Sequence, residues 1–168
     1  MRTIKVKILT FNELSEQAKE KARDWWRNGG LDYEWWDFIY EDAKNIGIEI
    51  TSFDLYRKEI DGKMILSAAE IAQNILNQHG EYCHTYKTAT NFMEQWQPIF
   101  NDYMKESGAN YESSMLEDVL MEDEFLSSLL EDYLSILNNE YEYMLSNEYV
   151  DETILNNEYE FYEDGSIA

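Results

Sequence analysis

Leu126-Ser127-Ser128-Leu129-Leu130-Glu131-Asp132-Tyr133-Leu134-Ser135-Ile136-Leu137 is the stretch that decides the fold class of this 168-residue chain. Its apolar residues recur three and four positions apart, the spacing that puts side chains on one face of an α-helix. The stripe extends in both directions, with Leu116, Val119 and Leu120 before it and Tyr141 and Met144 after it. The acids fall mostly between these positions. The spacing predicts one long acidic helix from about Ser113 to Ser146.

The chain before it reads as helices around a few strands. Glu81 to about Glu106 carries a stripe of Tyr82, Tyr86, Ala89, Phe92, Met93, Trp96, Ile99, Phe100 and Tyr103, which the lone proline, Pro98, is expected to kink or split. Ser67 caps a helix with Ala68, Ala69, Ile71, Ala72, Ile75 and Leu76 inward. Ser15 caps another that runs through Ala18, Ala22, Trp25 and Trp26 to Gly29-Gly30. A further helix is expected from near Asp32 to Gly47. Ile4, Val6, Ile8 and Thr10 alternate with Lys5, Lys7 and Leu9 as a strand, and Ile48, Ile50 and Phe53 do the same as far as Leu55. Ile60-Asp61-Gly62-Lys63-Met64 reads as a hairpin turn leading to a short strand at Met64–Leu66. Asp151–Leu155 reads as a last helical turn and Tyr159–Tyr162 as a short strand.

The fold class expected is therefore mostly helical α+β. A small antiparallel sheet, made of the N-terminal strand and the strand near 48–55, is packed by helices and followed by a long acidic C-terminal helix. The division expected is an α+β core with Trp-rich helices over 1–110 and an acidic helical extension over 111–168, packed on the core as one structural domain. One echo stands out. Ile136-Leu137-Asn138-Asn139-Glu140-Tyr141-Glu142-Tyr143 recurs as Ile154-Leu155-Asn156-Asn157-Glu158-Tyr159-Glu160-Phe161. The offset of 18 residues is five helical turns at ~3.6 residues each, so two helical copies would present the same face.

Charge narrows the function classes. The net charge is −22, and residues 106–168 carry 18 acids and no Lys or Arg. Residues 1–60 carry 10 basic and 12 acidic side chains, close to balance. An acidic segment repels phosphate, so direct nucleic-acid binding through a basic footprint is disfavoured, and the segment reads either as a solubilising surface or, the reading favoured, as a match for a partner with a basic surface. Acids at helical spacing can imitate duplex DNA, which carries one charge per ~1.7 Å of axis. No apolar run reaches the ~18 residues of a membrane span. The start lacks a signal-peptide pattern, and Cys83 is the single cysteine. These readings point to the cytoplasm.

Chemistry-bearing motifs are few. His79, Glu81, Cys83 and His84 are the one cluster of metal-ligand types, but their spacing matches no structural zinc pattern, and helix-end capping with core packing is the expectation there. A Cys83/His84 nucleophile is disfavoured by acidic surroundings, which raise a thiol pKa. No nucleophile elbow, phosphate loop, dinucleotide fingerprint or glycine-centred calcium loop is present. No catalytic residue, metal or cofactor is expected. Trp25, Trp26, Tyr33, Trp35, Trp36, Phe38 and Tyr40 crowd sixteen positions. Adjacent Trp pairs on a helix diverge by about 100°, so part of this set is expected to be exposed or to contact another element: as core packed against the acidic helices, as a protein interface, or as a base-stacking pocket. Lys44, Arg57 and Lys58 are close enough in sequence to face a phosphate.

Several segments carry a likeness to known proteins. They are Ile4-Lys5-Val6, Phe11–Ala22, Tyr33-Glu34-Trp35-Trp36-Asp37-Phe38, Glu41-Asp42-Ala43-Lys44, His79-Gly80-Glu81, Thr85-Tyr86-Lys87 and Glu131-Asp132-Tyr133. Together they resemble a group of small phage and mobile-element proteins labelled antitoxins of a toxin–antitoxin stability system. The resemblance implies a phage context and no catalytic residues. In composition alone, the acidic segment is also similar to DNA-mimic inhibitors of restriction or CRISPR systems.

The function expected is a phage-encoded anti-defence inhibitor acting in the host cytoplasm. It would bind a host nuclease or other DNA- or RNA-binding defence protein through an acidic, DNA-mimicking face. The residues expected on that face are Glu117, Asp118, Glu122, Asp123, Glu124, Glu131, Asp132, Glu140, Glu142 and Glu148, with Trp25, Trp26, Trp35 and Trp36 as an aromatic patch. The alternatives are a nucleotide-binding sponge using the Trp/Tyr cluster and a toxin-neutralising antitoxin. A homodimer is compatible with any of them.

Overall fold

The structure, a computed structural model, describes residues 6–105 and 111–168, and side chains outside 103–105 and 111–119. It shows the mostly helical α+β class. In chain order the elements are β1 (Ile8–Thr10), a 3-10 turn (Phe11–Glu13), α1 (Glu16–Gly29), α2 (Asp37–Ile46), β2 (Ile48–Asp54), β3 (Glu59–Met64) and α3 (Ala68–Gln78). After these come α4 (His84–Lys105), α5 (Tyr111–Met144), α6 (Asn147–Asn156) and β4 (Glu160–Tyr162). The antiparallel component consists of two ribbons, β1 with β4 and β2 with β3, so the N-terminal strand and the strand near 48–55 have different partners. The chain forms two compact units, residues 1–35 with 139–168, and residues 36–138. The division expected at 110/111 falls at the edge of the undescribed residues 106–110.

The first unit brings the two chain ends together. Ser15 Oγ accepts from the Ala18 amide at 3.3 Å and starts α1, whose Ala18, Ala22 and Trp26 recur every four residues on its buried face. They pack with Leu9, Phe11, Leu14, Val150, Ile154 and Phe161 in one core. Leu9 sits opposite Phe161 in the β1–β4 register, and Phe161 also bridges Ile167. The start of the expected N-terminal strand at Ile4 and Lys5 lies outside the described residues.

In the second unit, α2 packs on β2 and α3 packs on α4. Helix α2 begins at Asp37, five residues later than expected from Asp32. Residues 31–36 are turn, bend and irregular backbone because tertiary contacts claim their aromatic side chains. The Tyr33 hydroxyl lies 3.3 Å from that of Tyr149, and Trp35 is buried with its ring 5.8 Å from that of Tyr141. Aromatic residues also have only middling helix propensity.

The expected hairpin turn at Asp61-Gly62 lies inside β3 instead. The true turn is Leu55–Lys58, where the Asp54 carboxylate accepts from the amides of Tyr56 and Arg57, both at 2.9 Å. Gly62 sits opposite Ile50 in the ladder, beside a bulge, and a Cβ there would stand 2.8 Å from Leu130 Cδ2 and 2.9 Å from the Glu49 carbonyl oxygen. The missing side chain lets Leu130 of α5 close onto the ribbon.

Helix α4 is continuous through Pro98. Among the described side chains of α5, Phe125, Leu129, Tyr133 and Leu137, spaced by four, form a buried seam, with Leu130 beside it and Met144 buried at the helix end. Leu120, expected in that stripe, is 63% exposed. The 18-residue echo does not repeat in structure. Its first copy is helical throughout, whereas the second leaves α6 after Asn156 and ends in β4. Burial inverts accordingly: Leu137 is buried and its counterpart Leu155 exposed, while Ile154 is buried and its counterpart Ile136 exposed.

Candidate partner-binding surfaces

The expected acidic face divides by what each carboxylate touches. In the second unit Asp123, Glu124 and Glu131 are exposed on α5. Among the described residues no Lys or Arg pairs with them. Glu124 and Glu131 are seven residues apart, hence within about 20° of one another and ~10.5 Å apart along the axis. Asp132 has a different role. It is half-buried and accepts a 2.7 Å hydrogen bond from Thr88 Oγ1 of α4, and burial pushes its carboxyl above the usual value. Asp132 is thus a tie between helices. Glu122 is half-buried. The side chains of Glu117 and Asp118 lie outside the described residues.

In the first unit Glu142, Glu148, Glu152, Glu158, Glu160 and Glu163 are exposed and Glu140 is half-buried. Two acids of the same segment are neutralised internally. The nearly buried Arg23 of α1 grips Asp151 of α6 with two parallel bonds of 2.6 and 2.7 Å and also bonds Glu20, and the Asp151 bond leads in raising its pKa. Lys21 reaches Asp164 at 2.6 Å and, with Ser166, holds that carboxyl well below the usual range. Arg27 bonds the Leu145 carbonyl oxygen at 3.1 Å and the Asn147 side chain. Cations from α1 therefore secure the cation-free C-terminal segment. Asp151→Asn is expected to cost about 2 kcal/mol in chemical denaturation by removing a charged bidentate acceptor from a nearly buried guanidinium. A change below a few tenths would mean that water replaces the pair.

The aromatic patch is largely core. Trp26 and Trp35 are 4% and 8% exposed and offer no surface. Trp25 is 37% exposed and packs edge-on against Tyr159 and Phe161, at 5.1 and 5.9 Å between centroids. Trp36, half-buried, packs edge-on against Phe53, which also meets Tyr40. A groove of about 830 Å³ combines Tyr40 with Lys44, Asn45, Ile50 and Ile65, and Glu41 and Glu49 share its lining. Arg57 and Lys58 lie apart from it on the exposed β2–β3 turn, Arg57 at 3.7 Å from Asp54.

The histidine cluster is a structural clasp. His79 Nδ1 lies 2.7 Å from Thr85 Oγ1, and its Nε2 is 3.6 Å from Asp42 Oδ2, an ion-pair distance beyond hydrogen-bond reach. The Tyr133 hydroxyl donates to the same Asp42 oxygen at 2.8 Å. Asp42 belongs to α2, His79 caps α3, Thr85 is on α4 and Tyr133 on α5, so four elements meet here. Thr85 is 1% exposed and out of reach of a substrate. Cys83 and His84 are exposed. Among the described residues no group of three His, Cys, Asp or Glu is placed to hold a metal ion, and no helix is long and apolar enough to cross a membrane.

One feature escaped sequence reasoning. A cleft of about 220 Å³ opens between α4 and α5, lined by Thr88, Asn91, Phe92, Gln95, Met121, Glu124, Phe125 and Ser128. Its floor is built on a run of near-parallel rings. Phe125 stacks on Phe92 at 4.1 Å, and the series continues along α4 through Trp96 and Phe100, with interplanar angles of 20–21°. Only Glu124 was among the expected site residues. Phe92 was legible as part of a helical stripe, but its partner Phe125 was not. Comparison with protein-family models, with curated proteins and with solved structures finds no match for this chain.

Proposed function

We propose that this protein is a binding module, not an enzyme, and that its acidic helices occupy the basic, nucleic-acid-binding surface of another protein. The target class is a nuclease or a DNA- or RNA-binding defence protein, and the setting a phage-infected host. The observation that carries this reading is the solvent-facing acid of α5 in the second unit: Asp123, Glu124 and Glu131 are exposed without a cationic partner among the described residues. Charges held outward on a regular helix keep their field available to a basic cleft. The groove beside Tyr40 favours a nucleotide less, since Glu41 and Glu49 flank Lys44 there.

The test is capture on the immobilised protein from bacterial lysate, washed at low and high salt and eluted with duplex DNA. A stoichiometric nucleic-acid-binding protein displaced by salt and by DNA is the expected result. The triple variant Asp123→Lys, Glu124→Lys, Glu131→Lys should weaken that capture on the order of 100-fold while leaving helix content unchanged. Capture that ignores both DNA and the triple variant overturns the reading.

A further inference from the structure

We propose that the α4–α5 cleft receives one arginine side chain of the basic partner, a proposal that rests on the acidic-surface reading above. Size comes first. At about 220 Å³ the cleft is smaller than the roughly 300–1,000 Å³ of pockets that enclose a cofactor-sized ligand, so it suits a single side chain. Its chemistry is split as an arginine is split. Phe92, Phe125 and Met121 supply an apolar floor for the three-methylene stem, and Phe92 and Phe125 are 4% and 3% exposed, so the floor is part of the packed core.

The polar lining is rich in acceptors. Asn91, Gln95, Ser128 and Thr88 each offer an oxygen, and Glu124 adds the one formal charge among the described lining residues. Thr88 spends its proton on Asp132, so toward any further partner its oxygen can only accept. Among the described residues no cation lines the cleft; Lys87, exposed on α4, precedes Thr88 outside it. A guanidinium brings five donors in one plane, an ammonium only three on a point charge, so several neutral oxygens around one carboxylate select arginine over lysine. The packed floor and the Glu124 carboxylate would make this arginine the anchor that sets register, with the other acids supplying long-range attraction.

The experiment compares hexa-arginine with hexa-lysine, peptides of equal charge, by isothermal titration against the full chain at fixed salt. Hexa-arginine is expected to bind about tenfold tighter. Ser128→Leu, which fills the cleft, and Glu124→Gln, an exposed and near-isosteric change, should each reduce that preference to about threefold or less. Helix content by circular dichroism should stay at the parent level in both variants. Equal affinities for the two peptides, or an arginine preference that survives both variants, overturns the cleft and leaves the acidic-surface reading intact. Failure of that wider reading shows separately, as the absence of a DNA-displaceable partner in the capture experiment.

Discussion

Replacing Gly165 with valine is expected to destabilise the first unit by on the order of 3–5 kcal/mol, among the larger single-site effects a fold shows. Gly165 has φ +83°, a conformation that costs an L-residue roughly 1–2 kcal/mol on its own. A Cβ at this position would lie 2.1 Å from the Ala18 carbonyl oxygen and under 3 Å from two more backbone atoms of α1. These are main-chain atoms in the first turn of a helix, so no rotamer change relieves the overlap. The turn must lift instead. Lifting it would disturb the Gly165 amide bond to the Tyr162 carbonyl, the Tyr162 amide bond to the Ser166 carbonyl and the Lys21–Asp164 pair. It would also loosen Phe161, fully buried in the core between Leu9 and Trp25. Equilibrium denaturation of Gly165→Val measures the cost. Stability within 1 kcal/mol of the parent would show that the C-terminal turn is not held against α1.

That turn also marks a boundary of what the sequence could reveal. Elements whose signals are local were legible: Ser15 and Ser67 cap their helices as read, and α5 follows its three-and-four spacing. Features that depend on distant partners were not. The β1–β4 pairing joins Ile8 to Tyr162, and Arg23 finds Asp151 across 128 positions. No pattern in either segment names the other. The same physics misplaced the start of α2, because Tyr33 and Trp35 are claimed by Tyr149 and Tyr141 of the distant C-terminal segment. Asp61-Gly62 has the composition of a turn, but its glycine serves the approach of Leu130.

In the candidate site, acidity was readable and its disposition was not. Asp132, Asp151 and Asp164 carry the same charge as Asp123 and Glu131 but are tied to Thr88, Arg23 and Lys21. Tryptophan clustering was compatible with both core and surface, and a neighbour offset of 100° leaves room for one indole in the core and one at its edge, as Trp26 and Trp25 are. The α4–α5 cleft needed both helices in register, and the seam of α5 runs through Phe125 in a phase that the apparent leucine stripe, with Leu120 in it, concealed.

Tyr133→Ala is the second change expected to cost about 3–5 kcal/mol, in the second unit, and it separates packing from polarity. Tyr133 is fully buried, among the largest such side chains, so alanine leaves a cavity and strips the Asp42 carboxylate of a 2.8 Å donor. Tyr133→Phe removes only the hydroxyl. Because the Asp42 side chain is 51% exposed, water can replace that donor, and the cost should be about 1 kcal/mol. The two variants also differ from the parent in their response to acid. The neighbouring His79 first, and then the Tyr133 hydroxyl, hold the Asp42 carboxyl below its ordinary value. A depressed carboxyl contributes stability above its unfolded pKa, near 4, and that contribution is lost as pH falls through the folded value. The Tyr133→Phe penalty should therefore be full at neutral pH and shrink in acid below about pH 4. Asp132 works the other way: burial raises its carboxyl, so its contribution to stability is present in acid and is lost as pH rises through its folded value. Comparing Tyr133→Phe with the parent at each pH cancels Asp132 and the relief of self-repulsion, which both proteins share. A penalty that is flat from neutral pH into this acid range would show that the Tyr133 hydroxyl does not bond the ionised carboxylate, and the clasp would reduce to packing alone.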